Sequence, residues 1–143
     1  MSKEAYNKII AKLERLEEYL KYLKEIQKVN KTKFTNDFHF FGLAERYLQL
    51  SIEIVLDIGK LLLIANDLPR AGDNSEIFEI LAEKKILTQK LVAKFSGIAN
   101  FRNILVHDYE KIDRELVYKK LQNNLEDFME FRKVIKDILS KNF

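Results

Sequence analysis

The sequence predicts an all-α protein, an up-and-down bundle of four long helices and one short helix, with residues 1–143 forming a single domain. Three observations predict it. Apolar residues return at steps of three and four along most of the chain, the period of a helix with a buried stripe. Four Gly and one Pro in 143 residues are too few for the turns of a sandwich or barrel. Hydrophobic residues at 47% and charged residues at 33% supply a core and exclude the composition of a disordered chain.

Ile9, Leu13, Leu16, Leu20, Leu23 and Ile26, with Ile10 and Tyr19 beside them, form one stripe opposite a Lys- and Glu-rich face. They predict a first helix from Lys3 to Gln27. Asn30, Thr32 and Thr35 to Asp37 are polar cap residues ahead of a second long helix, Phe38 to Asp67. That helix is apolar on more than one face, through residues such as Phe41, Leu48, Ile52, Val55, Ile58 and Leu62. It must be covered on two faces, by the rest of the bundle or by a second subunit. Pro69 and Gly72 mark the clearest loop, DLPRAGDNS. Asp73, Asn74 or Ser75 then caps a short helix that turns Ile77, Phe78, Ile80 and Leu81 inward. Thr88 caps the next helix, expected to run on through LVAKFSGIANFRNILVH. Gly97 within it costs about 1 kcal/mol relative to Ala and predicts a bend or a close helix approach. A last helix is expected from Asp113 to Ser140, with Leu116, Val117, Leu121, Leu125, Phe128 and Phe131 on its buried stripe.

Composition also removes whole classes of function. The absence of Cys excludes a disulfide scaffold, a thiolate metal site and a Cys nucleophile, and fits an intracellular protein. A net charge of +3 with interspersed signs is compatible with nucleic acid without requiring it. The charged amino-terminal stretch does not resemble a signal peptide. The longest apolar run, Leu61 to Ala65, is far short of the roughly 20 residues that span a bilayer. A cytoplasmic protein without a membrane partner is expected. Two His leave no His-rich metal site in one chain, and no Gly-rich phosphate cradle or GxSxG elbow is present.

One segment departs from the solvated helix faces: Phe101-Arg102-Asn103-Ile104-Leu105-Val106-His107-Asp108-Tyr109-Glu110. At about 100° per residue, with Arg102 at zero, Asn103 falls near 100°, His107 near 140°, Glu110 near 80° and Tyr109 near −20°. Phe101, Ile104 and Leu105 take the opposite side. Polar side chains of five kinds thus share one arc while apolar neighbours anchor the helix behind them. Either a hydrogen-bonded structural cluster or a site satisfies this pattern. Elsewhere, His39 among Phe38, Phe40 and Phe41 reads as a buried or interface histidine. Glu53 and Asp57, spaced i, i+4, read as orienting or salt-bridged carboxylates rather than metal ligands.

FRNILVHDYEKID resembles the signature of HEPN-domain proteins, specifically the HepT-like toxin branch, in which Arg-x4-His is followed by Tyr two residues on. LAERYLQLSIEIVLDIG, the stretch from Pro69 through SEIFEILAEKKIL, and YKKLQNNLEDFMEFRKVI extend the resemblance over roughly residues 40 to 137. Thr88 and Lys60-Leu61 depart from residues common in the family, away from the motif. The resemblance implies a HEPN-like bundle that dimerises through its motif-bearing face. It implies the toxin of a type VII toxin–antitoxin system, a metal-independent endoribonuclease needing no cofactor, restrained by a minimal nucleotidyltransferase antitoxin. Arg102 and His107 match the family's catalytic pair, Asn103 the polar position after the Arg, and Tyr109 the tyrosine that receives AMP.

The chemistry is consistent with that expectation. RNA carries its own nucleophile, the 2′-hydroxyl. The protein must therefore supply proton transfer and positive charge around the phosphorane-like transition state. Arg102 is expected to bind the phosphate, His107 to act as general acid or base, and Asn103 to hold the phosphate or the His tautomer. Tyr109 is expected to contact RNA and to accept AMP, whose charge would repel substrate phosphate. The alternative is a non-catalytic HEPN nucleotide-binding or helical interaction module.

Overall fold

The computed structural model describes residues 1–107 and 112–142, with His107 and Asn142 described by their backbone alone. Helix α1 (Lys3–Gln27) begins where the Ser2 side chain accepts from the Ala5 N–H, and its six expected stripe residues are all buried. Asn30 caps α2 (Lys31–Asn36) through the Lys33 N–H. Asp37 ends that short helix and, accepting from the His39 N–H, starts α3 (Phe38–Ala65). The polar run expected to offer caps ahead of one long helix therefore holds two caps, Asn30 and Asp37, with a six-residue helix between them. Its one buried residue, Phe34, gives α2 its hold on the core.

Asp67 (φ 54°) closes α3 in the left-handed region, and the Leu68 N–H donates back to the Leu63 carbonyl at 2.9 Å. The loop expected around Pro69 follows. The Asp73 carboxylate, rather than Ser75, accepts from the N–H groups of Ser75 and Glu76 to start α4 (Glu76–Glu83). Thr88 caps α5 (Gln89–Lys94) by accepting from the Leu91 N–H.

The helix expected to run from Thr88 through His107 is instead two helices, α5 and α6 (Ile98–His107). Gly97 sits between them at φ +81°, and a Cβ built there would meet nothing within 4 Å. The interruption is a backbone demand for the left-handed region, not a close helix approach. Helix α7 (Arg114–Asn142) closes the fold, with Asp113 accepting from the Glu115 and Leu116 N–H groups. The expected all-α bundle stands, modified in its count: among the described residues, three long helices and four shorter ones.

Helices α1, α3 and α7 pack against one another, and α3 also carries α2, α4 and α6. The two-faced apolar pattern of α3 is thereby largely covered within one chain. Phe95 lies 5.4 Å from Phe131 and 5.8 Å from Phe128, centroid to centroid, edge to face, which fixes the α5 end against α7. Arg132 reaches Glu17 at 2.7 Å and ties α7 to α1. Among the described residues no helix is long and apolar enough to cross a membrane.

Gly59 permits the closest approach of α3 to α4: a Cβ built there would lie 2.6 Å from Ile77 Cγ2. Gly59→Ala is therefore expected to lower stability by about 1–3 kcal/mol, although Ala is the better helix former. Urea unfolding of the purified variant measures this.

Candidate functional site

Helix α6 lies on α3 and turns Phe101 and Leu105, each 8% exposed, toward the core. The Lys120 ammonium sits 5.7 Å from the centre of the Phe101 ring and adds a contact from α7. With this side buried, Arg102 is left half-buried and Asn103 exposed, as the helical spacing requires. The Arg102 guanidinium donates to Glu53 Oε1 at 3.3 Å and to Asn103 Oδ1 at 3.4 Å. Glu53 also accepts from Gln49 Nε2 at 3.2 Å. Two residues one turn apart on α3 thus orient the guanidinium of α6.

The Arg102–Glu53 pair is about a third exposed, 28% and 33% by side chain. At that exposure its contribution to stability is small, of order 1 kcal/mol or less. Its consequence is geometric. An arginine carries five N–H donors in a planar fork. With one Nη bonded to Glu53 and the other to Asn103, the fork's plane is restrained while donors remain for an incoming anion.

Asp57, one turn beyond Glu53, pairs with Lys12 of α1 at 3.1 Å. The two carboxylates therefore serve different cations rather than converging. Among the described residues, no group of three or more His, Asp or Glu side chains could hold a metal ion. Around them a groove of about 400 Å³ between α1 and α3 is lined by Lys8, Lys12, Arg15, Tyr19, Glu53 and Asp57. Its lining sets three cations against two carboxylates, a net positive charge.

The other expected site residues are placed as follows. His107 is the last residue of α6, five positions after Arg102; its side chain, and all of Tyr109 and Glu110, lie outside the described residues. His39, expected to be buried or at an interface, is exposed in this chain. Its ring Nδ1 donates to the Asp37 carboxylate at 3.0 Å, and the ring stacks on Phe38 at 4.2 Å. Phe38 and His39 lie on the outer side of the first turn of α3, whereas Phe40 and Phe41 pack against the core. Gln49 was not singled out from the sequence. Its i, i+4 spacing to Glu53 was a signal, but only the contact of Glu53 with Arg102 gives it meaning.

Comparisons with known proteins agree with this geometry. Residues 12–135 match the family model described as ribonuclease HepT-like. The chain is 30% identical over 105 residues to an mRNA nuclease HepT of Shewanella oneidensis, covering 73% of this chain and 79% of that protein. It is 32% identical over 92 residues to a putative RNase of Archaeoglobus fulgidus, covering 64% and 68%. Its fold is similar to that of a tri-AMPylated Shewanella oneidensis HEPN toxin solved with an MNT antitoxin. The TM-score is 0.82 at 27% identity, covering 96% of this chain and 99% of that one. A toxin–antitoxin structure with AMP-PNP gives a TM-score of 0.79 at 26% identity, covering 94% and 98%. With a family model spanning most of the chain and an arginine held ready on its motif helix, this protein belongs to the HepT-like ribonuclease family.

Proposed function

We propose that the chain is the toxin of a toxin–antitoxin pair, a metal-independent endoribonuclease silenced when a minimal nucleotidyltransferase antitoxin adenylylates Tyr109. The observation that carries the reading is the Arg102–Glu53–Gln49 arrangement, which presents an oriented cation on the helix that ends in His107. Family membership supports it, as do relatives named as nucleases and a related toxin solved AMPylated with its antitoxin. One continuous hydrophobic core supports taking residues 1–143 as a single domain. The RNA substrate places its action in the cytoplasm.

Arg102 binds and neutralises the scissile phosphate, and a charge-assisted fork gains as the phosphorane acquires negative charge. His107 transfers the proton of the 2′-hydroxyl or of the leaving 5′ oxygen, which an imidazole near pH 6.5 does at neutral pH. Asn103, bonded to Arg102, holds the phosphate or the guanidinium. One histidine supplies half of an acid–base pair. An isologous homodimer through the motif-bearing face brings a second copy of each group to one cleft. AMP on Tyr109 adds a phosphate where substrate phosphate must bind, and like charges exclude it.

Incubation of the purified protein with total RNA and EDTA is expected to give cleavage. Arg102→Ala and His107→Ala are each expected to slow it about 10²- to 10⁴-fold; wild-type rates in both would remove the assignment. Glu53→Ala is expected to reduce kcat/KM about tenfold, with recovery in Glu53→Gln, which keeps an acceptor for the guanidinium. Thermal unfolding should be nearly unchanged in both, because the pair is partly exposed. After co-expression with a nucleotidyltransferase antitoxin, intact mass is expected to show added AMP in wild type and none in Tyr109→Phe.

A further inference from the structure

The exposed seam of α3 continues beyond the site in a direction the mechanism does not use. Counting about 100° per residue from Phe38, Gly42 lies near 40°, Glu53 near 60°, Arg46 near 80° and His39 near 100°. All five share one quarter to one third of the helix circumference. Phe38 is the most exposed large apolar residue described, at 67%, and the His39 ring lies stacked against it. Asp37 holds that ring through Nδ1 and caps the helix through the His39 N–H. These two bonds keep the Asp37 carboxyl below the usual carboxylate range, so the clamp persists at neutral pH.

The other side of that first turn carries cations, over Phe40 and Phe41. Lys33 sits 5.4 Å over Phe40, and the Arg114 guanidinium lies 3.8 Å over Phe41 while donating to the Thr35 carbonyl at 3.0 Å. Arg46 is exposed and has no hydrogen-bond or ion-pair partner among the described residues. A second feature is independent of charge. Gly42 occupies the second turn of α3, where a built Cβ meets nothing within 4 Å. It is neither at positive φ nor in close packing. An unforced glycine inside a helix weakens it; its use here is to leave the backbone surface open between Phe38 and Arg46.

We propose that Phe38, His39, Gly42 and Arg46 form an RNA-binding subsite that stacks one unpaired base and contacts its phosphate, about 10 to 22 Å along α3 from the Glu53 level. The inference rests on the RNA-cleaving reading and extends it to how substrate is held away from the scissile bond. Bases present flat π-faces that stack on exposed aromatic rings, and such stacking tolerates any base. Arg46 supplies the phosphate charge. The stacked pair shares its arc with the exposed Arg46, and an aromatic face beside a cation fits a nucleotide better than an apolar helix.

The test is binding of a fluorescein-labelled, fully 2′-O-methylated, unstructured RNA of about ten nucleotides, followed by anisotropy. Methylation removes the nucleophile, so affinity is measured without cleavage. Phe38→Ala is expected to weaken binding about tenfold, with Phe38→Tyr restoring it. Gly42→Ala is expected to raise Tm by about 2–5 °C yet weaken binding, a combination that a purely structural role cannot produce. Wild-type affinity in Phe38→Ala and Gly42→Ala overturns the subsite. So does a changed sedimentation mass in Phe38→Ala, which assigns the face to a second copy. Loss of adenylylation with intact RNA binding assigns it to the antitoxin and also overturns it. Parallel cleavage of unmodified RNA by the wild type separates the two readings. Cleavage with unaltered variant binding sinks the subsite alone; lost binding without wild-type cleavage sinks the nuclease alone.

Discussion

Helix α3 is the constraint on which the rest of the molecule depends. It is 28 residues long and packs against α1, α2, α4, α6 and α7, so nearly every buried face in the fold is a face of α3. A helix used in this way has one narrow seam left for polar side chains. Gln49, Glu53 and Asp57 lie on that seam. The side chains that orient the site are thus borne by the helix least free to move, which is how a site is held to a fraction of an ångström.

The Arg102–Glu53 pair shows why the arrangement concerns position more than stability. At one-third exposure, solvent screens most of its Coulomb energy. Yet a guanidinium on an unconstrained surface helix samples many rotamers, and fixing it on binding costs about 0.5–1.5 kcal/mol of side-chain entropy. Bonds to Glu53 and Asn103 meet part of that cost before substrate arrives. The carboxylate also offsets some of the positive charge, so in the proposed mechanism the added pull of the groove cations Lys8, Lys12 and Arg15 matters for holding a polyanion.

Much of the fold was legible because periodicity and burial are the same fact seen twice. The stripe from Ile9 to Ile26 became the buried face of α1 over the residues expected. Thr88 capped the helix it was expected to cap. Reading failed where two local solutions have similar cost. Gly97 was read as a bend or a close helix approach, and its φ of +81° instead separates two helices. His39 was expected to be buried or at an interface, yet Phe40 and Phe41 turn to the core while His39 stacks on Phe38 at the outer side, exposed within this chain.

By itself the sequence determined the all-α class, the central and doubly apolar second long helix, and the convergence of Arg102, Asn103 and His107 on one segment, since each follows from spacing within a single helix. It could not determine which carboxylate answers Arg102. Glu53 and Asp57 are equivalent in a helical count, and the choice depends on how α1 and α6 are set around α3. Tertiary packing places Lys12 opposite Asp57 and Arg102 opposite Glu53. The reason is physical: intrahelical geometry is fixed by a repeat of 3.6 residues, whereas pairing between helices is set by side-chain volumes distributed over the whole core.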